Sequence, residues 1–193
     1  RLRNILEHEI CHSLGLEHVC PIDATKLMEP YINLGFRGSQ YDDIYSQQRH
    51  YGDPLEVHGP LRNNDSPASA TALGLVAGTP VSRPWLSIDD STDLDHFSFT
   101  GATTQQLTVR IIPAVPPVTP YLEGAQDSFT GECADGTPFD PATRQNLVLD
   151  LLAGNGTTVV ATAPAQPAGA TEEIVSFQLP ANGTHYIRVR GGT

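Results

Sequence analysis

Hydrophobic positions change their period part-way along the chain. From residue 1 to about 14, Leu2, Ile5, Leu6, Ile10 and Leu14 recur at helical spacing, which predicts an amphipathic helix. A second helix is expected from Tyr41 to Tyr51. Asp42 and Asp43 suit its N-terminal turn, Ile44, Tyr45 and Tyr51 give it a face to bury, and Gly52 stops it ahead of Pro54. Between the two, to about residue 40, no period holds. Residues 53–70, with Pro54, Gly59, Pro60, Asn63, Asn64 and Pro67, have the composition of a linker.

Further on the period becomes two. Residues 94–99 and 107–111 alternate, while 147–151 is apolar on both faces and ends at the turn Gly154-Asn155-Gly156. Segments 157–161, 174–179 and 186–190 continue the run, with weaker candidates at 73–76 and 85–88. About eight short strands separated by turn residues predict an antiparallel, jelly-roll-like β-sandwich, and the chain as a whole is α+β. Residues 113–145, rich in Pro and Gly, read as a long loop between strands.

Composition narrows the function classes. No apolar run is long enough for a membrane-spanning helix. A formal charge of −11, with Lys26 the only lysine, argues against nucleic-acid binding, which needs a basic face. An acidic surface keeps a secreted protein in solution and can hold calcium. Three cysteines are too few for a disulfide scaffold. Cys11 is expected as a small buried side chain rather than a ligand or redox group. Cys20 and Cys133 can pair with each other or with a segment outside this chain, and their spacing does not choose.

The densest chemistry lies in His8-Glu9-Ile10-Cys11-His12-Ser13-Leu14-Gly15-Leu16-Glu17-His18. On a helix His8 and His12, four apart, project from one face towards one point. Gly15 can end the helix in the left-handed conformation, and His18 can return from the loop as a third nitrogen ligand. Three neutral imidazoles leave a fourth tetrahedral position for water, the pattern of a catalytic zinc. Glu9 lies beside both helical ligands and can act as general base on that water. An amphipathic helix with incidental histidines has no use for Gly15 followed by His18.

The apolar face of the first helix requires a partner. Nothing of suitable size precedes it, so the chain is expected to be a fragment whose N-terminal remainder would carry a sheet, the upper cleft wall and any targeting sequence. Such a fragment is expected to have little or no activity alone.

Ten residues after His18 comes Met28, the only methionine, followed by Pro30. A tight turn carrying Met28 under the histidines would give the metal an apolar floor. The histidine motif followed by such a Met-turn resembles the metzincin zinc endopeptidases. Leu27-Met28-Glu29-Pro30 and the segment from Asp42 to Gly52 look most like the matrixin family. The resemblance covers residues 1–56 and implies the C-terminal part of a zinc metallopeptidase catalytic domain that cleaves internal bonds of extracellular protein or peptide substrates. Pro30 stands where some related families carry a zinc-reaching tyrosine, so that role is not carried to Tyr31. Pro30 and Tyr31 instead suit a pocket for the substrate side chain after the scissile bond, or Tyr31 is a packed surface tyrosine.

After a linker at 57–66, residues 67–193 form the sandwich. Asn63-Asn64-Asp65-Ser66-Pro67-Ala68, residues 93–99 and Tyr186-Ile187-Arg188-Val189 resemble the pre-peptidase C-terminal domain found behind the catalytic units of many bacterial secreted proteases. That resemblance implies an accessory role in solubility, in secretion or in holding an extracellular polymer.

Other residues are weighed more plainly. Asp89, Asp90, Asp93 and Asp95 cluster before a strand and Asn64 and Asp65 precede the sandwich; Asn64, Asp65, Asp93 and Asp95 could bind calcium, or be solvated turn groups. His50, His58, His96 and His185 lack ligand spacing and read as surface or packed histidines. Asn64, Asn155 and Asn182 open Asn-X-Ser/Thr triplets and suit surface turns. Glu17 reads as an exposed loop acid or as a support for a ligand imidazole. Trp85 and the pair Phe97 and Phe99 are expected in the sandwich core. Two readings follow. One is a secreted zinc endopeptidase. The other is a non-catalytic binding or adhesion sandwich attached to an inert metallopeptidase remnant.

Overall fold

A computed structural model describes residues 2–20, 22–31, 33–36, 38–56, 63–113, 121–140 and 144–192. Most of the expected linker, including His58, lies outside these residues. The chain divides into two compact units, residues 1–50 with 115–141 and residues 51–114 with 142–193.

The first unit contains α1 (Leu2–Ser13) and most of α2 (Tyr41–Tyr51). Helix α1 ends in a Schellman motif: Leu16 N–H donates to the Cys11 carbonyl and Gly15 N–H to the His12 carbonyl, both at 3.0 Å. Gly15 has φ +93°, a conformation that a Cβ makes costly, and Leu16 packs back on Cys11 as that motif requires. At α2 the Asp43 carboxylate accepts the Gln40 N–H at 2.7 Å, half of a capping box. Helix α2 has the boundaries that its pattern gives, and Gly52, at φ +76°, follows its last residue.

The expected loop at 113–145 needs correction. It contains a short antiparallel hairpin, β4 (Tyr121–Glu123) and β5 (Thr137–Phe139). This hairpin belongs with the helices: Gly124 N–H donates to the Cys20 carbonyl, and Cys20 and Cys133 form a disulfide. Cys11 is the free cysteine and is buried.

The second unit is a β-sandwich. Its larger sheet runs β1-β2-β9-β6-β7, from β1 (Thr71–Leu75), β2 (Leu94–Gly101), β9 (Gly183–Gly191), β6 (Leu147–Leu152) and β7 (Val159–Thr162). Its smaller sheet pairs β3 (Gln106–Ile111) with β8 (Glu172–Gln178). Side-chain alternation puts Phe97 and Phe99 of β2, Leu149 and Leu151 of β6 and Ile187 of β9 in one core, against Leu107, Val109 and Ile111 of β3 and Ile174 of β8.

Two details depart from expectation. Strand β1 runs parallel to β2, so the larger sheet is mixed rather than antiparallel. No strand forms at 85–88, and Trp85 is 46 % exposed with φ +65°, not a core residue. The left-handed backbone at Trp85 departs from the extended conformation that a strand at 85–88 would need.

Candidate metal centre

The i, i+4 geometry of α1 and the reversal at Gly15 bring three imidazoles to one point. The Nε2 atoms of His8, His12 and His18 form a near-equilateral triangle with sides of 3.1, 3.1 and 3.2 Å. Nitrogens bound tetrahedrally to one zinc at about 2.0–2.1 Å lie about 3.3 Å apart, so the triangle has the size of a zinc face. Tautomers sharpen the point. His8 Nδ1 donates to the Leu27 carbonyl and His12 Nδ1 to the Leu16 carbonyl, each at 2.8 Å. A carbonyl only accepts, so in the neutral ring each Nε2 carries a lone pair facing the centre. Converging lone pairs repel one another unless a cation lies among them. The donor set fits a three-histidine metal site.

Burial, with repulsion from His12 and His8, holds His18 below the ordinary imidazole range, opposed by the nearby Glu9 carboxylate. That keeps His18 neutral and able to ligate. Glu9 is exposed on α1 within electrostatic reach of His18.

The turn at Met28 holds both arms of the triad. Leu27 O anchors His8, and Met28 O accepts the Val19 N–H at 2.9 Å, fixing the residue after His18. Met28 itself is buried with Cys11 and Leu27. What shapes this turn is a residue the sequence reading did not single out. The Glu29 carboxylate, 1 % exposed, accepts the N–H groups of Ala24, Thr25 and Lys26 at 2.7–2.8 Å. These bonds sustain Ala24 at φ +64°, which alone would be unfavourable. Gln40 adds a second clamp, accepting from Leu27 N at 2.7 Å and donating to Thr25 O at 2.9 Å. Asn4 on α1 donates to the carbonyls of Asn33 and Phe36.

The remaining candidates divide. Pro30 follows the turn directly, and Tyr31 is 71 % exposed rather than packed. Glu17 is exposed. Burial first, then Asp43, Glu7 and Asp42, push the Cys11 thiol up to about 11, and it is packed with Leu27 and Met28. His96 and His185 are buried in the sandwich, His185 stacked on Phe99. Of the Asn-X-Ser/Thr triplets, Asn155 and Asn182 lie at exposed turns, whereas Asn64 is buried and unsuited to a surface role.

In the sandwich, Asp93 and Asp95 come together with Glu56, which the sequence reading did not group with them; their ligand oxygens lie within 4.8 Å of one another. Asp65 is outside this triad and accepts from Asn63 Nδ2 at 2.6 Å. Burial above all, with the neighbouring carboxylates, raises Asp95 to about 8, Glu56 to about 7 and Asp93 to about 6.

Residues 93–191, just over half of the chain, match the family described as bacterial pre-peptidase C-terminal domain. No curated protein and no solved structure matches the chain.

Proposed function

The chain belongs to the bacterial pre-peptidase C-terminal domain family, and from that premise we propose that it serves a secreted zinc endopeptidase of matrixin-like, metzincin type, with the sandwich as its accessory module. The observation that carries this reading is the 3.1–3.2 Å triangle of Nε2 atoms from His8, His12 and His18. Zinc held there would supply a Lewis acid with an exchangeable position for water and the scissile carbonyl. Glu9 accepts the proton of the attacking water and passes it to the departing amine. Leu27 and Leu16 carbonyls keep the imidazoles of His8 and His12 aimed. Pro30 and Tyr31 lie on the chain leaving the turn and suit contact with the substrate side chain beyond the scissile bond. No helix among the described residues is long and apolar enough to cross a membrane, which is compatible with secretion.

The test is zinc stoichiometry together with peptide hydrolysis in the native protein that carries these residues. One equivalent of zinc is expected, lost in His8→Ala and His12→Ala. Glu9→Gln keeps the zinc and lowers turnover by at least about a hundredfold. Hydrolysis by that variant at the parent rate would overturn the role of Glu9.

A second reading is favoured by the family match, which covers the sandwich from β2 onward and none of residues 1–92. In it the sandwich binds an extracellular polymer while residues 1–56 are an inert metallopeptidase remnant. Retention on collagen, chitin or cell-wall material, with no hydrolysis by the zinc-loaded protein, would select it.

A further inference from the structure

The hairpin that belongs with the helices turns its one aromatic loop residue fully outward. Phe129, between β4 and β5, is 97 % exposed, more than any other large apolar side chain among the described residues. Single exposed apolar residues are ordinary on protein surfaces. Here, however, the loop is built to keep the ring out.

The Asp127 carboxylate accepts the N–H groups of Phe129 and Thr130, at 2.8 and 2.7 Å. Those bonds, Thr130 first, hold the Asp127 carboxyl below the ordinary carboxylate range, so it is charged at neutral pH. The Asp127 carbonyl accepts the Gly131 N–H, and the Asp127 N–H donates to the Glu132 carbonyl, both at 2.8 Å. Gly131 turns the chain at φ +74°, and Gln126 Nε2 donates to its carbonyl at 3.1 Å. At the base of the loop Ala134 N–H donates to the Ala125 carbonyl at 2.9 Å, and the Cys20–Cys133 disulfide ties it to the chain after His18. A slack loop would let the ring fold back onto the hairpin. This one presents Phe129 already ordered, so little entropy is lost when a partner meets it.

The rim around the ring is of one sign. Residues 121–140 include Glu123, Asp127, Glu132, Asp135 and Asp140 and neither Lys nor Arg. Asp127, Glu132 and Asp135 are exposed. Such a tip is repelled by an anionic lipid surface, for which anchors flank apolar residues with Lys or Arg instead. It is repelled likewise by a second copy of a chain whose formal charge is −11. A cationic polypeptide is attracted. An Arg or Lys placed over the aromatic face gains from the ring and from the carboxylates beside it.

We propose that the tip of the β4–β5 hairpin docks a basic polypeptide segment, with Phe129 as the anchor and Asp127, Glu132 and Asp135 as an acidic rim. The ring receives Arg or Lys head groups on its face and apolar side chains at its edge, and the rim sets the charge of the segment that is accepted. The hairpin belongs to the unit that carries His8, His12 and His18. Docking itself needs no metal and is independent of the zinc reading.

The experiment uses the full chain, loaded with zinc and carrying Glu9→Gln so that the probe stays intact. The probe is a fluorescent peptide of alternating Arg and Leu, with binding read by anisotropy. Saturable binding is expected, weakening as salt rises, while a peptide of alternating Glu and Leu does not bind. Phe129→Ser lowers affinity by about tenfold or more. Its thermal midpoint does not fall, because almost none of the ring is buried in the fold. Phe129→Trp retains binding. Glu132→Gln combined with Asp135→Asn lowers affinity and flattens the salt dependence. The proposal is overturned if Phe129→Ser binds the Arg and Leu peptide as the parent does, or if the acidic peptide binds equally well. It is also overturned if the basic peptide does not bind and Phe129 instead mediates retention on phosphatidylcholine vesicles or dimerisation in sedimentation.

Discussion

The Nδ1 atom of His8 lies 2.8 Å from the carbonyl oxygen of Leu27, 19 positions along the chain, and donates its proton to it. This one bond fixes the tautomer of a candidate ligand and joins helix α1 to the turn at Met28. The aim of the imidazole therefore depends on how well the turn keeps its shape.

Glu29 maintains that shape. Replacing Glu29 by Gln puts an amide where three N–H groups converge, and should cost about 2–3 kcal/mol of stability. Zinc affinity should fall as well, since Leu27 and Met28 carry the bonds to His8 and Val19. Thermal unfolding and zinc titration check both. An unchanged midpoint would show that the turn holds without its carboxylate.

Gly15→Ala isolates backbone strain. Nothing lies within 4 Å of a Cβ at this position, so the cost comes from φ +93° alone and should be about 1 kcal/mol. The same change should weaken zinc binding by displacing His18. Unaltered affinity would separate the helix stop from the delivery of the third ligand.

Asp150 makes the acid limb of stability predictable. Burial pulls its carboxyl upward, but the Thr162 hydroxyl at 2.7 Å and the Arg188 guanidinium at 2.7 Å, with Arg190, hold it below the ordinary 3.8. Its folded form therefore releases its proton more readily than the unfolded chain. The contribution is present above about pH 4 and is lost as pH falls through the lowered value. Asp150→Asn should cost about 2 kcal/mol at neutral pH and flatten the acid limb, measured by denaturant unfolding from pH 7 to 2. A parallel acid limb in the variant would assign that limb to other groups.

Leu151 and Trp85 test the core directly. Leu151 is fully buried, next to the last residue of β6, and Leu151→Ala should cost about 2–5 kcal/mol. Trp85→Ala should cost about 1 kcal/mol, because the ring is half exposed and stands on left-handed backbone. The reverse order would place the indole in the core after all.

Where residues interact locally, the sequence is legible. Four-residue spacing and Gly15 are enough to bring His8, His12 and His18 to one point, and α2 is bounded by its own charges and Gly52. The alternating strands β2 and β3 form where the pattern puts them, as do β6, read from its apolar run, and β9. What escapes is long-range pairing. Nothing local tells β1 to run parallel to β2, or gives the hairpin β4–β5 to the helical unit. Glu56 looks like an ordinary turn acid until folding sets it beside Asp93 and Asp95. Glu29 and Gln40 are equally silent, because their work is done on backbone N–H and C=O groups that no pattern of side chains reveals.

The bridge between Cys20 and Cys133 makes a covalent ring that threads out of the turn after His18, through α2 and the strands β1, β2 and β3, and back. A single nick anywhere inside that ring leaves one molecule under oxidising conditions. The histidine helix and the C-terminal strands β6 to β9 would migrate together on a gel and part only on reduction. Such a ring lets the protein survive one cut to the exposed backbone between Cys20 and Cys133 without shedding either half.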